Sequence, residues 1–176
     1  MLPAMVTAPT KRLVAAATAV SIVVIALLVW WLWPSRKPAA DQPLARQYRE
    51  FTVCLLTDER GVRGPEAQPM WAGIQEAAEA ARVRSQYLSV AGEQTGANAA
   101  TFLASLAQGQ CDMVFAAGAA PVEAVQAKAH IFPHTRFYVV NPRTPVANVS
   151  AVDATDLRGS AYRLVTAAAV AASRQR

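Results

Sequence analysis

Beyond residue 50, short apolar runs rich in β-forming residues alternate with longer segments whose apolar residues recur every three or four positions. Period-two or continuous apolar runs mark strands, and a three-to-four spacing marks the buried stripe of a helix. Strands alternating with helices build βαβ units, a parallel sheet and right-handed crossovers. The pattern therefore predicts one α/β lobe over residues 50–176, with a doubly wound parallel sheet in the order 2-1-3-4-5.

The first unit sets the frame. Residues 51–56, Phe-Thr-Val-Cys-Leu-Leu, suit a buried parallel strand. The strand stops at Thr57 and Asp58, and a loop with Gly61, Gly64 and Pro65 follows. A helix begins near Glu66, with Pro65 in its first turn, where a missing N–H is harmless. Its amphipathic stripe (Met70, Trp71, Ile74, Ala77, Ala78 and Ala81) runs over residues 68–83. The remaining strands are predicted at 86–90, 112–117, 136–140 and 149–152. The helices between and after them are predicted at 98–108, capped by Asn98 or a neighbour and ended by Gly109, at 121–130 from Pro121, and at 157–173 with Asp156 as cap.

Residues 13–33 form a different class of segment. They contain no charged residue, and Thr18 and Ser21 are their only hydroxyls. As a helix this stretch would span about 30 Å, the thickness of a bilayer core. Lys11 and Arg12 precede it, Arg36 and Lys37 follow it, and Trp30, Trp31 and Trp33 crowd one end as an interfacial belt would. It exceeds the 7 to 15 apolar residues of a cleaved signal peptide, and no cysteine follows it to carry a lipid. We expect a tail at 1–12, an uncleaved single-pass membrane helix at 13–33 and a linker at 34–49 with three prolines, four basic residues and one acid. Basic residues lie on both flanks, so the positive-inside rule does not set the orientation. The net charge of +5 partly reflects these flanks. With no basic stripe carrying interleaved aromatics, nucleic-acid binding is not expected.

Catalytic and cofactor chemistries find no support. Gly61 and Gly64 fit neither G-x-G-x-x-G nor a P-loop. The third strand ends in Ala116-Ala117-Gly118, without a phosphoacceptor aspartate. Pro133 separates His130 from His134 and breaks the helix that would align them on a metal. Ser85, Ser89, Ser105 and Ser160 lack a base and a nucleophile elbow. No cofactor and no enzymatic activity are expected. Cys54 and Cys111 are the only cysteines; they read as two small core residues, or as a disulfide if the lobe lies outside the cytoplasm. What remains is a row of polar residues and a glycine at strand ends: Thr57, Asp58 and Glu59 after the first strand, Gly118 after the third, Asn141 after the fourth and Asp153 after the fifth. In α/β sheets ligands bind at such ends, so this row predicts a cleft for a small polar ligand.

The order of these blocks resembles the N-terminal lobe of the basic membrane protein (BMP) family of substrate-binding proteins, which serve ABC importers and often bind nucleosides. The resemblance rests on residues 53–62 (VCLLTDERGV), Trp71-Ala72-Gly73, residues 111–118 (CDMVFAAG), residues 132–141 (FPHTRFYVVN), Asn148-Val149 and Arg158-Gly159-Ser160. It covers about 120 residues and implies a lobe of the type I periplasmic-binding-protein kind. It also implies an extracytoplasmic position and an ABC transporter permease as partner. Where the family carries Asp-x-Ser-Phe-Asn, residues 62–68 read Val-Arg-Gly-Pro-Glu-Ala-Gln, so Gln68 is the amide left to meet a ligand. The family closes two lobes over its ligand, so a second lobe from another chain would have to cover this one. The alternative expectation is an interaction or structural module that keeps the fold without a ligand.

Overall fold

The computed structural model describes residues 50–174. These residues belong to a single compact unit, Arg46–Arg176. The expected tail, membrane helix at 13–33 and linker lie outside the described residues. Among the described residues no helix is long and apolar enough to cross a membrane.

Five strands form one sheet: β1 (Thr52–Thr57), β2 (Arg84–Ser89), β3 (Met113–Ala117), β4 (Arg136–Val140) and β5 (Val149–Val152). Every pairing is parallel and the order is β2-β1-β3-β4-β5, as the sequence predicts. Four helices cover it: α1 (Ala67–Ala81), α2 (Gly96–Gln108), α3 (Ala119–Lys128) and α4 (Leu157–Arg174).

Strand alternation decides which residues meet which helices. On one face Val53 and Leu55 of β1, Met113 and Phe115 of β3 and Tyr138 of β4 pack under α1 and α4 through Met70, Ile74, Ala161 and Val165. On the other, Cys54, Leu56, Val114, Ala116, Phe137 and Val139 pack under α2 and α3 through Leu103, Leu106, Ala124 and Val125. Both faces of the central strands are buried, which is why β1 and β3 read as continuous apolar runs rather than alternating ones. Small residues let α1 and α4 approach closely. A Cβ at Gly73 would overlap the backbone carbonyl of Arg158 on α4, so only glycine fits there.

Cys54 and Cys111 form a disulfide, with Cα atoms 5.9 Å apart. Of the two fates that the sequence leaves open for these cysteines, the structure shows the bridge. The two residues lie in one core beneath α2, on β1 and just before β3, which are sheet neighbours. Gln86 on β2 donates its amide N–H to both sulfurs, at 3.3 and 3.4 Å.

Several boundaries differ from expectation, each for a local reason. β2 begins at Arg84 rather than residue 86, because its polar residues sit on the sheet's edge, where little is buried. α1 starts at Ala67 with Glu66 at its N-cap, so Pro65 precedes the helix instead of opening it. Thr95, not Asn98, caps α2 by accepting from the Asn98 N–H at 3.2 Å. The Asn98 side chain instead pins the preceding loop, donating to the carbonyls of Ala91 and Glu93. α3 begins at Ala119, two residues before Pro121, and closes in a 3-10 turn, Ala129–Ile131, ahead of Pro133. Asp156 caps α4 as expected, accepting from the Gly159 N–H at 2.8 Å.

Candidate functional site

A cleft of about 520 Å³ opens at the C-terminal ends of β1, β3 and β4. The sheet order makes this the place where the chain's direction of travel reverses: β1 leads outward to β2, and the chain then returns across to β3 on the opposite side of β1. Diverging connections leave a crevice at such a point. Its volume falls within the usual range for small-molecule sites. A second groove of about 420 Å³ lies at the opposite ends of β1 and β2 and holds none of the predicted residues.

Of the seven residues predicted from the sequence, Asp58, Gly118 and Asn141 line the cleft. Asp58 follows β1, and its side chain is only 15% exposed. It accepts from the Arg60 backbone N–H at 3.0 Å and from the Arg60 guanidinium through Nε, at 3.0 Å, and Nη2. The side-chain bond from Arg60 is the main cause holding the Asp58 carboxyl below its ordinary pKa, and burial works against it. The same bond raises Arg60. Gly118 turns the chain from β3 into α3 at φ 102°, and a Cβ there would press on the Asp58 carboxylate. Asn141 ends β4 in the left-handed region, at φ 48°, a conformation that asparagine tolerates better than most residues.

The other four predicted residues stand elsewhere. Thr57 is fully buried and bonds to Leu88 O and Ser89 Oγ of β2, so it fastens the edge strand. Glu59 donates its backbone N–H to Gln94 Oε1 at 3.2 Å and is exposed outside the cleft lining. Gln68 is exposed on the first turn of α1 and also lies outside the lining. Asp153 accepts from the N–H and hydroxyl of Thr155, which holds its pKa down, and it shapes the turn into α4 rather than the cleft. β5 sits at the sheet's far edge, too distant from the reversal point to contribute.

The cleft also recruits residues that the sequence did not mark. Glu66, at the α1 N-cap, reaches across to accept from the Gly118 N–H at 3.0 Å. Its carboxylate thus fills the position at the start of α3 that an anionic ligand group would otherwise seek. Glu123 and Gln126 come from α3, and Arg143 and Thr144 from the segment returning to β5. The Gln126 Oε1 accepts from the Thr144 N–H at 2.9 Å, while its Nε2 is buried without a partner among the described residues. Val122 and Val140 add apolar wall. Only the helical phase of α3 carries a signal for Glu123 and Gln126, and strand-end reasoning does not use it.

The comparisons with known proteins agree at the level of fold. No family model matches the chain, and no curated protein matches it. Among solved structures, the chain is similar to a fragment named as a lipoprotein from Peptoclostridium difficile 630, at 12% identity and a TM-score of 0.57, over 68% of this chain and 98% of that one. It also overlaps an ABC transporter solute-binding protein from Aeropyrum pernix K1 at 22% identity and a TM-score of 0.48, over 57% of this chain and 28% of that one. A 5-methylthioribose transporter solute-binding protein from Thermotoga lettingae overlaps at 15% identity and a TM-score of 0.43, over 57% of this chain and 31% of that one. The chain thus spans less than a third of each of these two solute-binding proteins.

Proposed function

We propose that the lobe is a solute-binding module, anchored in a membrane by residues 13–33, that takes a small polar ligand in the cleft at the ends of β1, β3 and β4. The observation that carries this reading is the convergence there of Asp58, Gly118, Asn141 and Gln126 from separate elements in a cleft of about 520 Å³. Binding rather than catalysis fits a site in which Asp58 is held by Arg60 and Glu66 by the start of α3. The Cys54–Cys111 disulfide supports an extracytoplasmic position, since cytosolic thiols are kept reduced. Nucleoside-type ligands and an ABC permease partner follow from the BMP resemblance and are part of the proposal. A second lobe from another chain would complete the enclosure, because a single lobe leaves a ligand half exposed.

A second reading has its own observation. Asp58 already has its hydrogen bonds met by Arg60, which suits a scaffold that keeps the fold and has lost the ligand. Thermal-shift titration of the full-length chain in detergent with nucleosides and other small metabolites separates the two. A saturable rise in Tm that Val122→Trp abolishes, while the apo Tm is kept, supports the binding module. A flat response across the panel favours the scaffold. Protease added to intact spheroplasts tests sidedness: digestion of the lobe is expected, and protection until lysis would reverse the orientation.

A further inference from the structure

Gln126 presents a buried donor with no acceptor. Its side-chain amide is oriented by a backbone group: the Thr144 N–H donates to Oε1 at 2.9 Å, which leaves Nε2 as the end without a bond. Nε2 is screened from solvent and has no partner among the described residues. A buried donor left unpaired is destabilising, and such groups are rare enough that each asks for an explanation. This one belongs to a residue that lines the cleft. An anion is a poor candidate for the missing acceptor. Glu66 already occupies the start of α3 through the Gly118 N–H, and with Asp58 and Glu123 it sets three acids in the lining against two arginines, Arg143 and the Arg60 that is tied to Asp58.

Resting on the binding reading above, we propose that Gln126 is the specificity-determining amide of the cleft: it reads an uncharged acceptor oxygen of the ligand, a carbonyl or hydroxyl, while Glu66 closes the site to phosphate and carboxylate groups. The ligand's acceptor completes the hydrogen bonding of Nε2 at the cleft wall that Gln126 helps to form. Because Thr144 fixes the amide before the ligand arrives, the donor is pre-oriented and little rotamer freedom is lost on binding.

The test uses the full-length chain in detergent, with uridine, adenosine and D-ribose as uncharged probes, and inorganic phosphate and ribose 5-phosphate as anionic ones. Saturable binding of at least one uncharged probe and none of the anionic ones is expected. Gln126→Glu keeps an oxygen for the Thr144 N–H and replaces the donor by a charged acceptor that repels the ligand's oxygen, so it should weaken that binding tenfold or more. Equal affinity in Gln126→Glu overturns the assignment of Gln126 and leaves the cleft as a binding site. Anionic probes binding in place of uncharged ones overturns the exclusion by Glu66. Silence from every probe overturns the binding reading itself, and this inference with it. A measurement without ligand guards against a purely structural role. Gln126→Met removes the orphan donor together with the Thr144 bond, and these losses offset, so the apo Tm should stay within about 3 °C. A fall well beyond that would make the amide a structural clamp and overturn the proposal.

Discussion

Removing the Cys54–Cys111 bridge should take away a large part of the lobe's stability. The bridge closes a loop with a sequence separation of 57 residues. In the chain-entropy description, a loop of that length restricts the unfolded ensemble by about 4 kcal/mol. The sulfurs also leave a packed site, since Cys54 is fully buried and Cys111 is 2% exposed. Replacing both by alanine therefore adds a small cavity term, and the Gln86 amide loses both of its acceptors. A total near 5 kcal/mol compares with about 5 to 15 kcal/mol for a whole domain. For a lobe of this size, it translates to a fall in Tm of about 15 °C. The assay is urea unfolding of wild type and Cys54→Ala/Cys111→Ala, followed by circular dichroism. The midpoint should drop sharply, and the slope m should rise as the unfolded chain, freed of its cross-link, exposes more surface. Titration of thiols in the denatured, unreduced wild type should find none. A double variant that melts within about 3 °C of wild type, with m unchanged, would refute the reasoning.

Three further outcomes follow from the described geometry. Gly73→Ala places a methyl against the Arg158 carbonyl and forces α1 from α4; it should destabilise by about 1 to 3 kcal/mol in a urea melt, despite alanine's better helix propensity. Asn148 donates its amide to the carbonyls of Ala129, Phe132 and Thr135, so Asn148→Ala should cost about 2 to 4 kcal/mol by the same assay and speed amide exchange in the 129–135 turn. Asp58 has a lowered folded pKa, so its contribution is present above the unfolded value, near pH 4, and is lost as pH falls through the folded one. Melts below pH 4 should therefore show a shallower acid loss in Asp58→Asn than in wild type.

The fold was legible where burial was two-sided. β1 and β3 announce themselves as continuous apolar runs, and Gly109, Asp156 and the strand-ending Asp58 punctuate them in the expected places. β2 was blurred because an edge strand with exposed Arg84, Gln86 and Tyr87 carries little hydrophobic pattern. Of the cleft, the sequence reveals the residues that end strands, since sheet topology alone puts Asp58, Gly118 and Asn141 near one another. It does not reveal Glu66, which matters because it spans from the start of α1 to the start of α3. Nor does it reveal Gln126, whose position depends on how α3 is rotated and how the return segment folds over it. The cysteine pairing was undecided for another reason: the predicted order already puts β1 beside β3, but whether two neighbouring thiols oxidise depends on the compartment, which the residues around them do not set.

The bridge between residues 54 and 111 also makes α1, β2 and α2 part of a closed covalent ring. A peptidase that cuts any exposed turn inside the ring, such as residues 91–95, opens the backbone but releases no fragment. The two pieces stay joined through sulfur, and β2 remains registered on β1. On a gel such a nicked lobe would run as an intact chain until a reductant was added, then as two. Under the extracytoplasmic position proposed above, that ring would let the lobe survive single cuts that core packing alone would not guarantee.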